Sequence, residues 1–134
     1  MKKSKLLYYL DDDKDDLQFF QDAAERVGLS VMLFDSGQDL LGSLRLEKKL
    51  PDAIFLDVHM PILNGEEILN VLKNSEWGDI PIVMISAAYP KKLAKQFTET
   101  GADFLMKKRT TLDDLESAIT EALQAILKPN KNLL

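Results

Sequence analysis

The chain has 134 residues, 46% hydrophobic and 29% charged, with a formal net charge of −5. That balance describes one globular domain with a real core and excludes a disordered chain, while the acidity argues against direct nucleic-acid binding, which rests on neutralising phosphates. With no cysteine, disulfides, thiolate zinc sites and thiol catalysis are excluded; with no stretch near the roughly 20 apolar residues of a span, so is a membrane helix. The apolar run Leu6 to Leu10 is too short for a signal-peptide core and leads straight into aspartates, so the expected compartment is the cytoplasm.

Strand and helix patterns alternate five times. The first strand is 5–10, followed by a helix at 14–27 with Leu17, Phe20, Ala24 and Val27 on one face and Gly28 past its end. Asp13, with Asp16 three residues later, caps that helix. A second strand, Ser30 to Phe34, leads to a helix opened by Ser36 and Asp39 in capping-box spacing, with Leu40, Leu41 and Leu44 as its apolar side. Pro51 marks the break before strand 53–57. The third helix opens near Asn64, with Glu67 three residues on, and turns Ile68, Val71 and Leu72 inward. After a polar loop, strand 82–86 leads to a helix starting near Pro90, with Leu93, Ala94 and Phe97 as its face and Gly101 at its end. Strand 103–107 precedes the last helix, opened by Thr111 and Asp114, which buries Leu115, Ala118, Ile119, Ala122 and Ile126 before Pro129 stops it. The domain is expected to span 1–134, with its core at about 4–127 and a tail at 128–134.

The third and fourth strands are apolar throughout rather than alternating, as in parallel strands covered on both faces. Five βα units in series predict a doubly wound α/β sheet with helices on both sides, and ligands bind such sheets at the C-terminal ends of the strands. The residues at those ends are Asp11, Asp12 and Asp13 after the first strand, Asp57 after the third, Ser86 after the fourth and Lys107 after the fifth. Two carboxylates side by side repel by roughly 4 kcal/mol at 4 Å and an effective dielectric near 20. A cation relieves that repulsion, or one group stays protonated; hard oxygen donors suit Mg²⁺ or Mn²⁺. Helix capping accounts for Asp13 but not for Asp57, which lies too early to cap the helix near Asn64. Taken singly, Lys107 reads as a solvent-facing lysine and Ser86 as a hydroxyl bonded to nearby backbone. Their placement at two strand ends opposite the acids points instead to a site that accepts a phosphoryl group, with Lys107 as a point charge on its oxygens. The lone histidine, His59, reads as a rim residue.

These residues resemble the receiver domain of two-component response regulators over about residues 4–127. The resemblance rests on Asp57-x-x-Met60-Pro61-x-x-x-Gly65, together with the aspartate pair, Ser86 and Lys107. It implies the flavodoxin-like strand order 2-1-3-4-5. It implies Asp57 as phosphoacceptor and metal ligand, Asp12 as direct Mg²⁺ (or Mn²⁺) ligand, Asp11 as a partner acting through metal-bound water, and the His59 backbone carbonyl as a further ligand. It implies Ser86 as the switch hydroxyl, Phe104 as the switch aromatic that fills the space Ser86 vacates, and Lys107 as the phosphate-pairing lysine.

The implied activity is transfer of a phosphoryl group from the phosphohistidine of a sensor histidine kinase, or from a phosphotransfer protein, onto Asp57. The chain would thus be a signalling receiver that assists only its own phosphorylation and dephosphorylation. Phosphorylation would bias the face of helix four, strand five and helix five toward a downstream protein partner. The chain resembles stand-alone, chemotaxis-type regulators, and its basic stretch 90–109, with Lys91, Lys92 and Lys95, forms with helix five the expected docking face. Two departures stand out. Lys108 follows Lys107 where the family commonly has a cis proline, so a trans Lys107–Lys108 bond is expected; and Ala88 leaves a position that tunes water access without a polar side chain. A phosphatase with an aspartyl intermediate would want an acid where His59 stands. A flavodoxin-like electron carrier would want a phosphate-cradling loop in place of the three aspartates. A degenerate receiver acting as a phosphorylation-independent interaction module is the remaining alternative.

Overall fold

The computed structural model describes residues 5–46, 49–60 and 64–127. The elements run β1 (Leu6–Leu10), α1 (Lys14–Arg26), β2 (Ser30–Phe34), α2 (Gly37–Leu46), β3 (Ala53–Asp57), α3 (Gly65–Lys73), β4 (Ile82–Ser86), α4 (Lys91–Thr100), β5 (Phe104–Lys107) and α5 (Leu112–Ile126). All the strands are parallel, in the order β2-β1-β3-β4-β5. β3 and β4 are buried along their whole length, whereas the edge strands β2 and β5 are only partly so.

Side chains alternate across each strand, so the sheet has two cores. Tyr8, Leu10, Ile54, Leu56, Ile82 and Met84 pack under α2, α3 and α4 through Leu40, Leu44, Ile68, Leu69, Leu72 and Phe97. Leu7, Tyr9, Phe55, Val83, Ile85 and Met106 pack under α1 and α5 through Phe20, Ala24, Leu115 and Ile119. Residues two apart therefore share a face, and this parity decides which strand-end side chains meet.

The helices begin where side chains satisfy their free N–H groups. Asp13 accepts from Asp15 and Asp16, Ser36 from Asp39, and Thr111 from Asp114; Asn64 and Glu67 form a full capping box. Pro90, expected at the first helical position, is instead the N-cap of α4, which begins one residue later at Lys91. Gly28 and Gly101 carry positive φ at the ends of α1 and α4. Two expected core residues lie outside: Val27 and Val71 are exposed, and Ala23 and Leu69 fill the interior instead. The Pro61–Leu63 part of the motif and the tail 128–134, with Pro129, lie outside the described residues.

Candidate functional site

The acidic residues converge as the strand ends predict. Ligand oxygens of Asp11, Asp12 and Asp57 lie within 4.8 Å of one another, with Asp12 exposed. Asp11 is 0% and Asp57 1% exposed, each two residues beyond a ring of the α1–α5 core, Tyr9 and Phe55. The Tyr9 hydroxyl donates to Asp11 Oδ2 at 2.5 Å and the Asp13 N–H donates to Asp11 Oδ1 at 3.0 Å. Burial raises the Asp11 pKa, against the Tyr9 hydroxyl, the Asp13 N–H and the Lys108 charge. The Tyr9 ring stacks on Phe20 at 4.1 Å, and burial, then the Asp11 charge, push its phenol pKa upward.

Asp57 is held differently. The Val58 N–H bonds to the Ile85 carbonyl at 2.9 Å, fixing the strand end. Gly65, which closes the motif, opens α3 directly against this strand end: a Cβ there would stand 2.3 Å from the Asp57 carbonyl oxygen. Asp57 Oδ1 is buried without a hydrogen-bond partner. Burial and then the Asp11 charge push the Asp57 carboxyl up to about 6, with Lys108 and the His59 N–H offsetting part of the rise. A buried carboxylate oxygen without a donor, beside two further acids, fits a hard divalent cation.

The lysine of the site is Lys108, which corrects the assignment to Lys107. Lys108 Nζ lies 3.5 Å from Asp57 Oδ1, 3.8 Å from Asp11 Oδ2 and 3.1 Å from Asp16 Oδ2. Lys107 is exposed. The reason is register. Asp57 pairs with Ile85, Ile85 with Met106, and Ser86 with Lys107. Lys107 thus shares the face of Leu105, while Lys108, two beyond Met106, turns to the face of the acids. Its backbone N–H extends the pairing with β4 by donating to the Ser86 carbonyl at 2.9 Å. Burial works to lower the Lys108 pKa, but Asp57, Asp11 and Asp16 outweigh it and hold it above the usual lysine value. No cis peptide bond occurs among the described residues, so the Lys107–Lys108 bond is trans as expected.

Parity also separates Phe104 from Ser86. Phe104 packs with the α1–α5 core, opposite the face that Ser86 shares with Met84, so it does not border the space beside that hydroxyl. The expected pairing of Ser86 with Phe104 as switch residues is corrected on this ground. An aromatic on the Ser86 side is Tyr89, packed like Leu105 and Leu93 against the other core. Its hydroxyl donates to the Met84 carbonyl at 2.8 Å and its ring meets Phe97 edge-on at 6.3 Å. Ser86 is fully buried; its hydroxyl donates to the Ala88 carbonyl at 2.9 Å and lies 3.3 Å from His59 Nε2. The His59 residue is exposed, as a rim residue should be.

Lys108, Tyr9, Asp16 and Tyr89 were therefore not found by reading strand ends alone. Counting by twos from Tyr9, Phe55 and Met106 along their strands finds Asp11, Asp57 and Lys108 together.

A family model for the response regulator receiver domain matches residues 8–120. A protein-glutamate methylesterase/protein-glutamine glutaminase of Clostridium acetobutylicum is 33% identical over 116 residues, 83% of this chain and 32% of that protein. The response regulator protein TodT of Pseudomonas putida is 29% identical over 131 residues, 97% of this chain and 56% of that protein. The chain thus spans about a third to just over half of these curated relatives. Among solved structures, the chemotaxis response regulator CheY4 of Vibrio cholerae has a TM-score of 0.78 at 22% identity, covering 90% of this chain and 100% of that one. The phosphorylated cyanobacterial phytochrome response regulator RcpA has a TM-score of 0.80 at 22% identity, covering 94% and 96%. The Mn²⁺-bound response regulator Rcp1 has a TM-score of 0.77 at 18% identity, covering 95% and 97%. At these identities the likeness is one of fold.

Proposed function

The chain belongs to the response regulator receiver domain family, and from that premise we propose that Asp57 accepts a phosphoryl group from the phosphohistidine of a sensor kinase or phosphotransfer protein. The observation that carries the reading is Asp57 Oδ1, buried, without a hydrogen-bond donor and 3.5 Å from the Lys108 ammonium. A carboxyl that titrates at about 6 is mostly ionised at neutral pH, and an oxygen without a donor keeps its lone pairs for attack. That oxygen forms a new bond to phosphorus as the N–P bond to the donor's histidine breaks. Lys108 is placed to neutralise the phosphoryl oxygens, so the protein contributes positioning and electrostatics.

Asp11, Asp12 and Asp57 supply the oxygen set for a divalent cation, Mg²⁺ or Mn²⁺, with the His59 carbonyl as a further donor. When bound, the cation would offset the charge of the carboxylates and of the incoming phosphoryl group. Asp11 is kept oriented by Tyr9 and Asp13. Ser86 would turn from Ala88 toward the phosphoryl oxygens, and Tyr89, rather than Phe104, borders the space it leaves. The response would pass to α4 and β5, where Lys91, Lys92, Lys95 and Lys107 are exposed; these cations suit an acidic protein partner.

Incubation with acetyl phosphate and Mg²⁺, followed by intact mass, tests the reading. One phosphoryl group should be gained, lost in Asp57→Asn and kept in Asp13→Asn. A wild-type chain that gains nothing, or an Asp57→Asn chain that still gains one group, overturns it.

A further inference from the structure

The nearest partner of the Lys108 ammonium is not the proposed acceptor. Its Nζ is 3.1 Å from Asp16 Oδ2, with hydrogen-bond geometry, but 3.5 Å from Asp57 Oδ1 without it. Asp16 stands in the first turn of α1, its backbone N–H held by the Asp13 side chain at 3.1 Å. Its side chain is 41% exposed and that of Lys108 34%, so both groups lie at the rim while Asp57 lies beneath. Asp16 is not one of the three clustered acids. Neither helix capping nor metal ligation needs its carboxylate.

We infer that Asp16 is a positioning residue that restrains phosphoryl uptake by holding the Lys108 ammonium at the rim, in competition with the incoming anion. The inference rests on the proposed receiver chemistry and specifies how this chain regulates it. Two effects of the Asp16 carboxylate act in the same direction. It occupies a donor of Lys108 that a phosphoryl oxygen would otherwise use, and its charge repels an anionic phosphodonor at the mouth of the site. Both are lost in Asp16→Asn, which keeps the size of the side chain and leaves the Asp13 cap untouched.

Two measurements test this at saturating Mg²⁺. In the first, acetyl phosphate reacts with Asp57, forming an O–P bond there and breaking the acyl O–P bond with release of acetate; intact mass follows the rate. In the second, beryllofluoride is titrated as a non-transferring phosphoryl mimic. Asp16→Asn should speed uptake and tighten beryllofluoride binding, each by about threefold or more, the scale of a partly exposed ion pair. Asp16→Glu, whose carboxylate still reaches Lys108, should restore the wild-type values. Asp15→Asn removes the same charge from the same helical turn without touching Lys108, and should change neither measurement. The inference is overturned if Asp16→Asn is unchanged or slower, or if Asp15→Asn accelerates uptake equally. A wild-type chain that takes up no phosphoryl group at all would instead sink the receiver chemistry itself, which separates the two failures.

Discussion

Replacing Asp57 by Asn should stabilise the metal-free protein, although it removes the proposed functional group. The Asp57 carboxyl is 1% exposed and titrates at about 6 rather than 3.8, chiefly through burial and then the Asp11 charge. The folded chain therefore holds that proton more tightly than the unfolded chain. Below about pH 4 the carboxyl is neutral in both states and nothing is lost; stability falls as pH rises toward about 6, and above that the loss is complete. At about 1.36 kcal/mol per pH unit, the gap amounts to about 3 kcal/mol at pH 8. That figure already includes the attraction of Lys108, so Asn, uncharged like the protonated acid, should gain up to about 3 kcal/mol, or about 6–12 °C in melting temperature for a domain of this size. Thermal and urea unfolding in a chelator, at pH 8 and pH 5, measure it. The gain should be present at pH 8 and about halved at pH 5, and added Mg²⁺ should stabilise the wild type more than the variant. An Asp57→Asn chain no more stable than wild type at pH 8, or a gain independent of pH, would refute the reasoning.

Lys108→Ala should weaken beryllofluoride binding by about tenfold or more, because a charge-assisted bond to the anion is lost, whereas Lys107→Ala should stay within about twofold; parallel titrations decide between the two lysines. Tyr9→Phe removes a buried hydroxyl that bonds to Asp11, and urea unfolding should show a loss of about 1–2 kcal/mol. Gly65→Ala drives a Cβ to 2.3 Å from the Asp57 carbonyl oxygen, which is rigid backbone; denaturation should show a loss of roughly 1–3 kcal/mol, and acetyl phosphate uptake should fall with it. Reversing the charges of Lys91, Lys92 and Lys95 should weaken capture of the downstream partner and leave the phosphorylation rate unchanged, as read by pull-down beside intact mass.

The layout of the fold was legible because strand and helix signals agree along the chain. The apolar runs of β3 and β4 implied a sheet covered on both sides, and Asp13, Ser36, Asn64 and Thr111 announced the helix starts that the hydrogen bonds bear out. The acidic half of the site was legible for the same reason: Asp11 and Asp57 follow or close buried strands, and Asp57 lies too early to cap a helix. The basic half was misread because the end of a short edge strand does not by itself give parity. Lys107 and Lys108 are adjacent, and only the pairing of Ile85 with Met106 shows which of them turns toward Asp57. Phe104 was misassigned through the same one-residue slip, which in a sheet moves a side chain to the opposite face. The pairing of Lys108 with Asp16 joins residues 92 positions apart and has no local signature.

The central claim is that Asp57 and Lys108 form one phosphoryl-accepting pair. A crystal structure of the chain with beryllofluoride and Mg²⁺ tests it most directly. Density for the beryllofluoride group joined to an Asp57 carboxylate oxygen, with Lys108 Nζ against a fluorine, is the predicted result. Beryllofluoride absent from Asp57 at saturating concentration, or bound there with Lys107 as the contacting amine, would contradict it.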